Sequence, residues 1–286
     1  MTRYEDIVRQ AMIELGHIEA KGDETDLHIF NHISNWPRTK DTIIIKPTAP
    51  TNKHFALDSW GYANDSRMSY IEPEWMNPFE YSENIKADRE YIQELIEQKS
   101  NKWDESILLK WRKPKEKIPE DHILIIGQQP HDETVNGFGF GDHWKKLCQI
   151  VNALPRKQHI VIKLHPGLKG KIQQIKDWRE EGLHVIDGYV SIHDVLPHAR
   201  VAVLENSTAG IECMMHKVPI ISYGWPEYHW VTEKIQTLPH LKSAVEDLSW
   251  YHEKDNEMFI HWYIKRYLCT DVESTKRRIQ DILWNQ

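Results

Sequence analysis

Cysteine is scarce in this 286-residue sequence. Cys148, Cys213 and Cys269 are odd in number, widely separated and outside any metal-type spacing. They set up neither a disulfide framework nor a zinc site, and they read as buried thiols of a reducing compartment. No run approaches the ~18 consecutive apolar residues that a membrane span needs. Met1-Thr-Arg-Tyr-Glu-Asp6 has no apolar segment of the kind a secretory signal carries. The expected location is therefore the cytoplasm, with room for peripheral contact at the inner face of the cell membrane or with an assembly complex. Positive charge is in deficit, 36 Lys+Arg against 43 Asp+Glu, a formal charge of −7. That excludes a bulk nucleic-acid footprint but leaves room for a local basic cleft. Internal repeats and low-complexity tracts are missing. So is an Asp-x-Asp pair, and no metal or other cofactor is expected.

What is present is a globular composition, 28% charged and 40% hydrophobic. Seventeen His and twelve Trp are many for this length. They can be surface imidazoles and core filler, or a sugar or nucleotide site where rings stack and imidazoles meet phosphates.

The first third is irregular. Tyr4 to Leu15 has helical spacing, Thr42–Lys46 and His54–Asp58 read as short strands, and about Ser82 to Gln98 as a polar helix. Glu72 to Pro78, with two Pro and one Trp, should be loop. A basic, proline-broken stretch around 111–119 is the expected linker between a reduced N-terminal half (1–110) and the C-terminal half. Beyond the linker, apolar strands at His122–Ile126, His159–Leu164, Leu183–Ile186, Val201–Leu204 and Val218–Ser222 alternate with helical segments. Those helices are near Asp142–Leu154, Lys169–Glu180, Ile192–Leu196 and Ala209–His216. Continuous apolar strands alternating with helices predict an α/β fold, a parallel Rossmann-like sheet buried on both faces over 120–235. Residues 236–286 should be closing helices, near Asp255–Tyr267 and Val272–Trp284. The aromatic stripe Phe259, Trp262, Tyr263 and Tyr267 is expected in the core.

In such a sheet, ligands collect where strands hand over to helices. Asn206-Ser207-Thr208 opens a helix and could be an ordinary cap or a phosphate site. Lys163 and His165, past a neighbouring strand, would hold an anion from the other side. Glu212 is one turn into that helix, either solvated or accepting from ribose hydroxyls. Asp132 and Asp58 are the candidate carboxylates for covalent or acid–base work, or else plain turn formers. Gly137-Phe-Gly-Phe-Gly141 does not match the dinucleotide fingerprint and reads as a covering loop.

Gly127-Gln128-Gln-Pro-His-Asp132 resembles the G-Q-x-x-x-D segment of bacterial capsule-type retaining β-Kdo glycosyltransferases. Lys163-Leu-His165-Pro166 resembles their K-x-H-P, and Asn206-Ser-Thr-Ala-Gly210-Ile-Glu212 their S-T-x-G-x-E. Ser222-Tyr223-Gly224-Trp-Pro-Glu-Tyr228 resembles a strand-end F/Y-G-x-P-x-Y. Leu57-Asp58-Ser-Trp-Gly61 is similar to E-D-G-F, with Ser59 where that segment has Gly. The order and spacing agree over about 120–235. The resemblance implies a GT-B-like architecture and transfer of Kdo from CMP-Kdo to a cell-surface glycan or glycolipid, with retention. By it, Lys163, His165, Asn206, Ser207, Thr208, Gly210, Glu212, Gln128 and Tyr223 bind the donor. Asp132 is the nucleophile, His165 assists, and Asp58 serves the acceptor side. The rival readings are another nucleotide sugar (CMP-sialic acid or a UDP-sugar) and a non-catalytic nucleotide- or glycan-binding relative.

Overall fold

A computed structural model describes residues 3–20, 26–31, 42–61, 63–70, 85–102, 110–129, 132, 134–135, 142–168 and 172–284. The segments expected as loops at 72–78 and 137–141 lie outside these residues.

The chain opens with α1 (Arg3–Glu14), then β1 (His28–Asn31), β2 (Thr42–Pro47) and β3 (Phe55–Asp58). Helix α2 (Ile85–Glu97) leads toward the linker. The second half runs β4 (His122–Ile126), α3 (His143–Ala153), β5 (Ile160–Lys163), α4 (Ile172–Glu180), β6 (His184–Ile186), β7 (Ala199–Leu204), α5 (Ala209–Met215), β8 (Ile220–Ser222) and β9 (Glu233–Lys234). Helices α6 (Leu238–Glu246) and α7 (Glu253–Trp262) come next, then a π-helical turn (Tyr263–Tyr267), β10 (Leu268–Cys269) and α8 (Val272–Trp284).

Strands β4 to β9 form a six-stranded sheet of order β6-β5-β4-β7-β8-β9, and every pair in it is parallel. The alternation of side chains along β4 accounts for its continuous apolar run. Ile123 and Ile125 pack with Trp144, Leu147 and Trp178 on one face. Leu124 and Ile126 pack with Ile211, Met214, Phe259 and Tyr263 on the other. A side chain buried this fully contributes about 1.5–3 kcal/mol, so both faces must be covered for the sheet to be stable.

Local chemistry sets the helix ends. Asp142 caps α3 by accepting from Trp144 N–H at 2.8 Å and Lys145 N–H at 3.1 Å. Leu154 ends it in extended geometry, as a residue before Pro155 must. The segment expected as one helix at Ile192–Leu196 is instead two 3-10 turns, Ile192–Asp194 and Leu196–His198, with Pro197 inside the second.

The N-terminal half is a mixed sheet of order β1-β2-β3-β10. Its fourth strand comes from the other end of the chain: β10 pairs antiparallel with β3 through Leu268 and Cys269. Ile279 and Ile282 of α8 share a core with Val8, Ala11, Ile43, Ile45, Phe55 and Leu57. The region 236–286 is thus divided between two sheets rather than serving as one closing layer. Helix α6 packs on one face of the larger sheet through Leu241, Ala244 and Val245, and α7 on the other through Phe259 and Ile260. The aromatic stripe does lie in the core, with Phe259 stacked on Tyr263 and Tyr263 on Tyr267 at centroid distances of 5.7 and 5.5 Å. Among the described residues, no helix is long and apolar enough to cross a membrane.

Candidate active site

The loops at the carboxyl ends of β4, β5, β6 and β7 converge, and two glycines permit the approach. A Cβ on Gly188 would sit 2.6 Å from the His165 carbonyl oxygen, so only glycine lets the loop after β6 lie on His165-Pro166. A Cβ on Gly210 would overlap the Tyr228 ring, whose hydroxyl donates to the Ser207 carbonyl. The N-S-T-A-G-I-E and Y-G-W-P-E-Y segments therefore pack directly on one another.

A cavity of about 90 Å³ opens between these loops, bounded by Lys102, Trp111, His165, Thr208 and Glu212 among others. Lys102, which lies beyond the end of α2, donates from Nζ to Thr208 Oγ1 at 2.8 Å. Burial and then the charge of Lys46 pull its ammonium below the ordinary lysine range, against the raising effect of Glu212, Asp132 and Glu227. Glu212 is 5% exposed, and its Oε2 has no hydrogen-bond partner among the described residues. Burial pushes its carboxyl up to about 7, and Lys102 pulls against that. A solvated helix face is excluded for Glu212.

His165 accepts from Gly167 N–H through Nδ1 at 2.9 Å. In the neutral ring the proton is then on Nε2, available as a donor. Burial and the Lys102 charge lower its pKa to about 4, so the ring is neutral at physiological pH.

Asp132 accepts at Oδ1 from the Thr134 N–H at 2.9 Å and the Thr134 hydroxyl at 2.6 Å. Burial alone would raise its pKa, but Thr134, Lys102 and Lys46 together lower it, so the carboxylate is ionised. A chain of hydrogen bonds fixes this loop. Gln128 Nε2 donates to Asn206 Oδ1 at 2.7 Å, Asn206 N–H returns a bond to Gln128 Oε1 at 2.9 Å, and Asn206 Nδ2 donates to the Thr134 carbonyl at 2.7 Å. Gln128 and Asn206, expected against the donor, thus spend their amides on holding Asp132 in position. Behind them His143 bonds the buried Glu205 through Nδ1, and Lys146 donates to the same carboxylate at 2.9 Å.

Three expected residues have geometry that differs from the expectation. Lys163 was expected to meet an anion, but its Nζ donates to the Leu164 and Gly188 carbonyls at 3.1 and 2.9 Å. Burial lowers its pKa to about 7, and its place is as a clamp between the loops after β5 and β6. Tyr223 packs with the opposite face of the sheet, beside Ile221 and Leu241. Asp58 was expected to serve the acceptor. It is 2% exposed and accepts from the Trp60, Gly61 and Arg67 N–H groups and the Tyr267 hydroxyl. Those bonds pin the turn after β3 to the π-helical turn. Ser207 Oγ accepts from Ala209 N–H at 3.2 Å. The helix it opens has only seven residues, so polarity at the cavity comes from Lys102, His165 and the hydroxyls more than from a helix dipole.

Sequence reading missed Lys102, Lys46, Glu227 and Trp111. Lys46 had a visible signal, a charge directly after the apolar run Ile43-Ile-Ile45 of a strand, and it is 6% exposed. Its Nζ is 3.9 Å from Glu227 Oε2, and Glu227 Oε1 accepts from Tyr263 at 2.9 Å. Lys102 comes after a polar turn with no motif to mark it.

Comparison with known proteins agrees with this architecture. Two solved structures share the fold, both from Thermosulfurimonas dismutans KpsC. Its beta Kdo 2,7 transferase has a TM-score of 0.53 at 16% identity, over 98% of this chain and 90% of that one. Its beta Kdo 2,4 transferase has a TM-score of 0.53 at 18% identity, over 79% and 73%. No curated protein sequence matches the chain. The fold is GT-B-like, as the resemblance implied, and its parallel sheet is the one expected from the strand and helix order. A model of the capsule polysaccharide biosynthesis protein family matches residues 27–265, and the chain belongs to that family.

Proposed function

We propose that the protein is a retaining glycosyltransferase that moves Kdo from CMP-Kdo to a cell-surface glycan or glycolipid acceptor. One observation carries the reading. An ionised carboxylate, Asp132, lies within electrostatic reach of Lys102, Lys46 and His165, and Lys102 and His165 line a cavity with the buried Glu212, whose Oε2 has no partner among the described residues. The KpsC fold and the capsule family support the same reading.

Kdo carries a carboxylate beside its anomeric carbon, so the donor brings two anionic groups to the site. Lys102, the Nε2–H of His165 and the Ser207 and Thr208 hydroxyls meet the phosphate, and Glu212 accepts from the ribose hydroxyls. In the first step an Asp132 oxygen bonds to the anomeric carbon as the bond to the phosphate oxygen breaks. CMP leaves with that electron pair, and Lys102 offsets the charge. In the second, an acceptor hydroxyl attacks the same carbon, its proton passes to a carboxylate, and Asp132 is released. Two inversions give retention. We assign the proton to Glu227, which pairs with Lys46, and give Asp58 the task of holding the N-terminal side in register.

Thermal melting tests donor class. CMP should raise the melting temperature of the wild type, because it binds only the folded cleft. His165→Ala should remove most of that shift while the exposed control His240→Ala keeps it. A shift with UDP and none with CMP would assign a different donor.

A further inference from the structure

Two buried polar atoms beside the cavity lack partners among the described residues, and they are opposite in kind. Glu212 Oε2 is an acceptor and Trp111 Nε1 is a donor. Both residues line the same space. Buried polar atoms are nearly always paired in native proteins, so a complementary pair left open at one cavity marks what a ligand must supply.

Trp111 stands in the linker, yet the linker there is fixed to the larger sheet. The neighbouring Arg112 N–H donates to the Tyr189 carbonyl at 3.1 Å, and Arg112 bridges to Val190. Its guanidinium lies 5.7 Å from the Tyr189 ring centre. The indole lines the cavity, whose wall also includes Ile126, Pro166, Val190 and Ile192. A flat, largely apolar ring with a hydrogen-bonding edge suits such a wall.

We propose that Trp111 recognises the nucleobase of the donor. The ring lies against the apolar wall and the indole N–H donates to an acceptor on the base, while the ribose hydroxyls complete Glu212. The linker between the two halves is then part of the donor site. This inference rests on the nucleotide reading of the cavity given above.

The test is calorimetric titration of the full chain with CMP and with ribose 5-phosphate, which lacks the base, in the wild type and in Trp111→Phe, which keeps a ring and removes the N–H. Trp111→Phe should weaken CMP about tenfold, the effect of one lost buried hydrogen bond, and leave ribose 5-phosphate unchanged, at an unchanged melting temperature of the unliganded protein. Equal CMP affinity in Trp111→Phe, or an equal loss for ribose 5-phosphate, overturns the inference and leaves the nucleotide reading intact. A wild type that does not bind CMP overturns both. If the variant does not fold, hydrogen exchange in the wild type decides: CMP should slow exchange at 110–113, and unchanged exchange there with CMP bound counts against Trp111.

Discussion

Asp58 and Glu212 are both buried acids, one at the end of a strand in the smaller sheet and the other in a helix under the larger one. Burial pushes both carboxyls up from their ordinary values. Their surroundings differ. Asp58 has donors on both oxygens, from the turn just after it and from Tyr267. Glu212 keeps one oxygen without a partner among the described residues, facing a lysine. Burial alone therefore does not mark a functional acid, because a fully bonded carboxylate already has its ligands. An open one at a cavity does mark it, since the folded chain tolerates the cost only where something else completes the bonds.

The same contrast separates Asp132 from Asp58 and gives the largest expected effect. Asp132→Asn keeps the size of the side chain and removes the attacking charge. Transfer should fall by at least roughly 10³-fold, with the melting temperature almost unchanged. Rate and melting measured on one preparation check this, and a variant that loses its fold instead would make Asp132 structural.

Asp58→Asn should do the reverse. An amide cannot accept with both its polar atoms, so at least one N–H or hydroxyl donor is left unpaired, and the similar volume of Asn and Asp does not help. The expected loss is about 2–4 kcal/mol in denaturant unfolding, with turnover per folded molecule largely retained. Full stability with lost turnover would return Asp58 to the chemistry.

The smallest effect is a pH dependence. Glu212 keeps its proton up to about pH 7 in the folded chain but loses it near 4.5 when unfolded. Between those values the folded state binds more protons, so stability falls as pH rises through that window. Glu212→Gln should flatten the fall. Above pH 7 it should recover up to about 2–3 kcal/mol relative to the wild type, with no difference below about pH 4. Parallel pH–stability curves for the two proteins would mean that burial does not hold the proton on Glu212.

The larger sheet is legible in the sequence because its strands are buried on both faces and so read as unbroken apolar runs. His122–Ile126 is where its apolar run puts it, and the helix expected from about Asp142 starts there, capped by that side chain. Strands β9 and β10 have two residues each, too short for any pattern, and the return of the chain end to the smaller sheet is a long-range pairing with no local signal. In the site, motif residues could be named but their tasks could not. Lys163 reads like a phosphate ligand until the Gly188 carbonyl is seen to occupy it. Gln128 and Asn206 read like ligand contacts until they are found bonded to each other. Lys102 and Trp111 flank the cavity from segments with no motif, and only the fold brings them to it.

Whether Asp132 forms a covalent bond to the donor sugar is decided by intact-mass analysis of the protein mixed with CMP-Kdo. A single Kdo adduct is expected, mapping to Asp132 and absent in Asp132→Asn. It should accumulate in Glu227→Gln, where the second step lacks its base. An adduct on another residue, or undiminished transfer by Asp132→Asn, would rule out the double displacement.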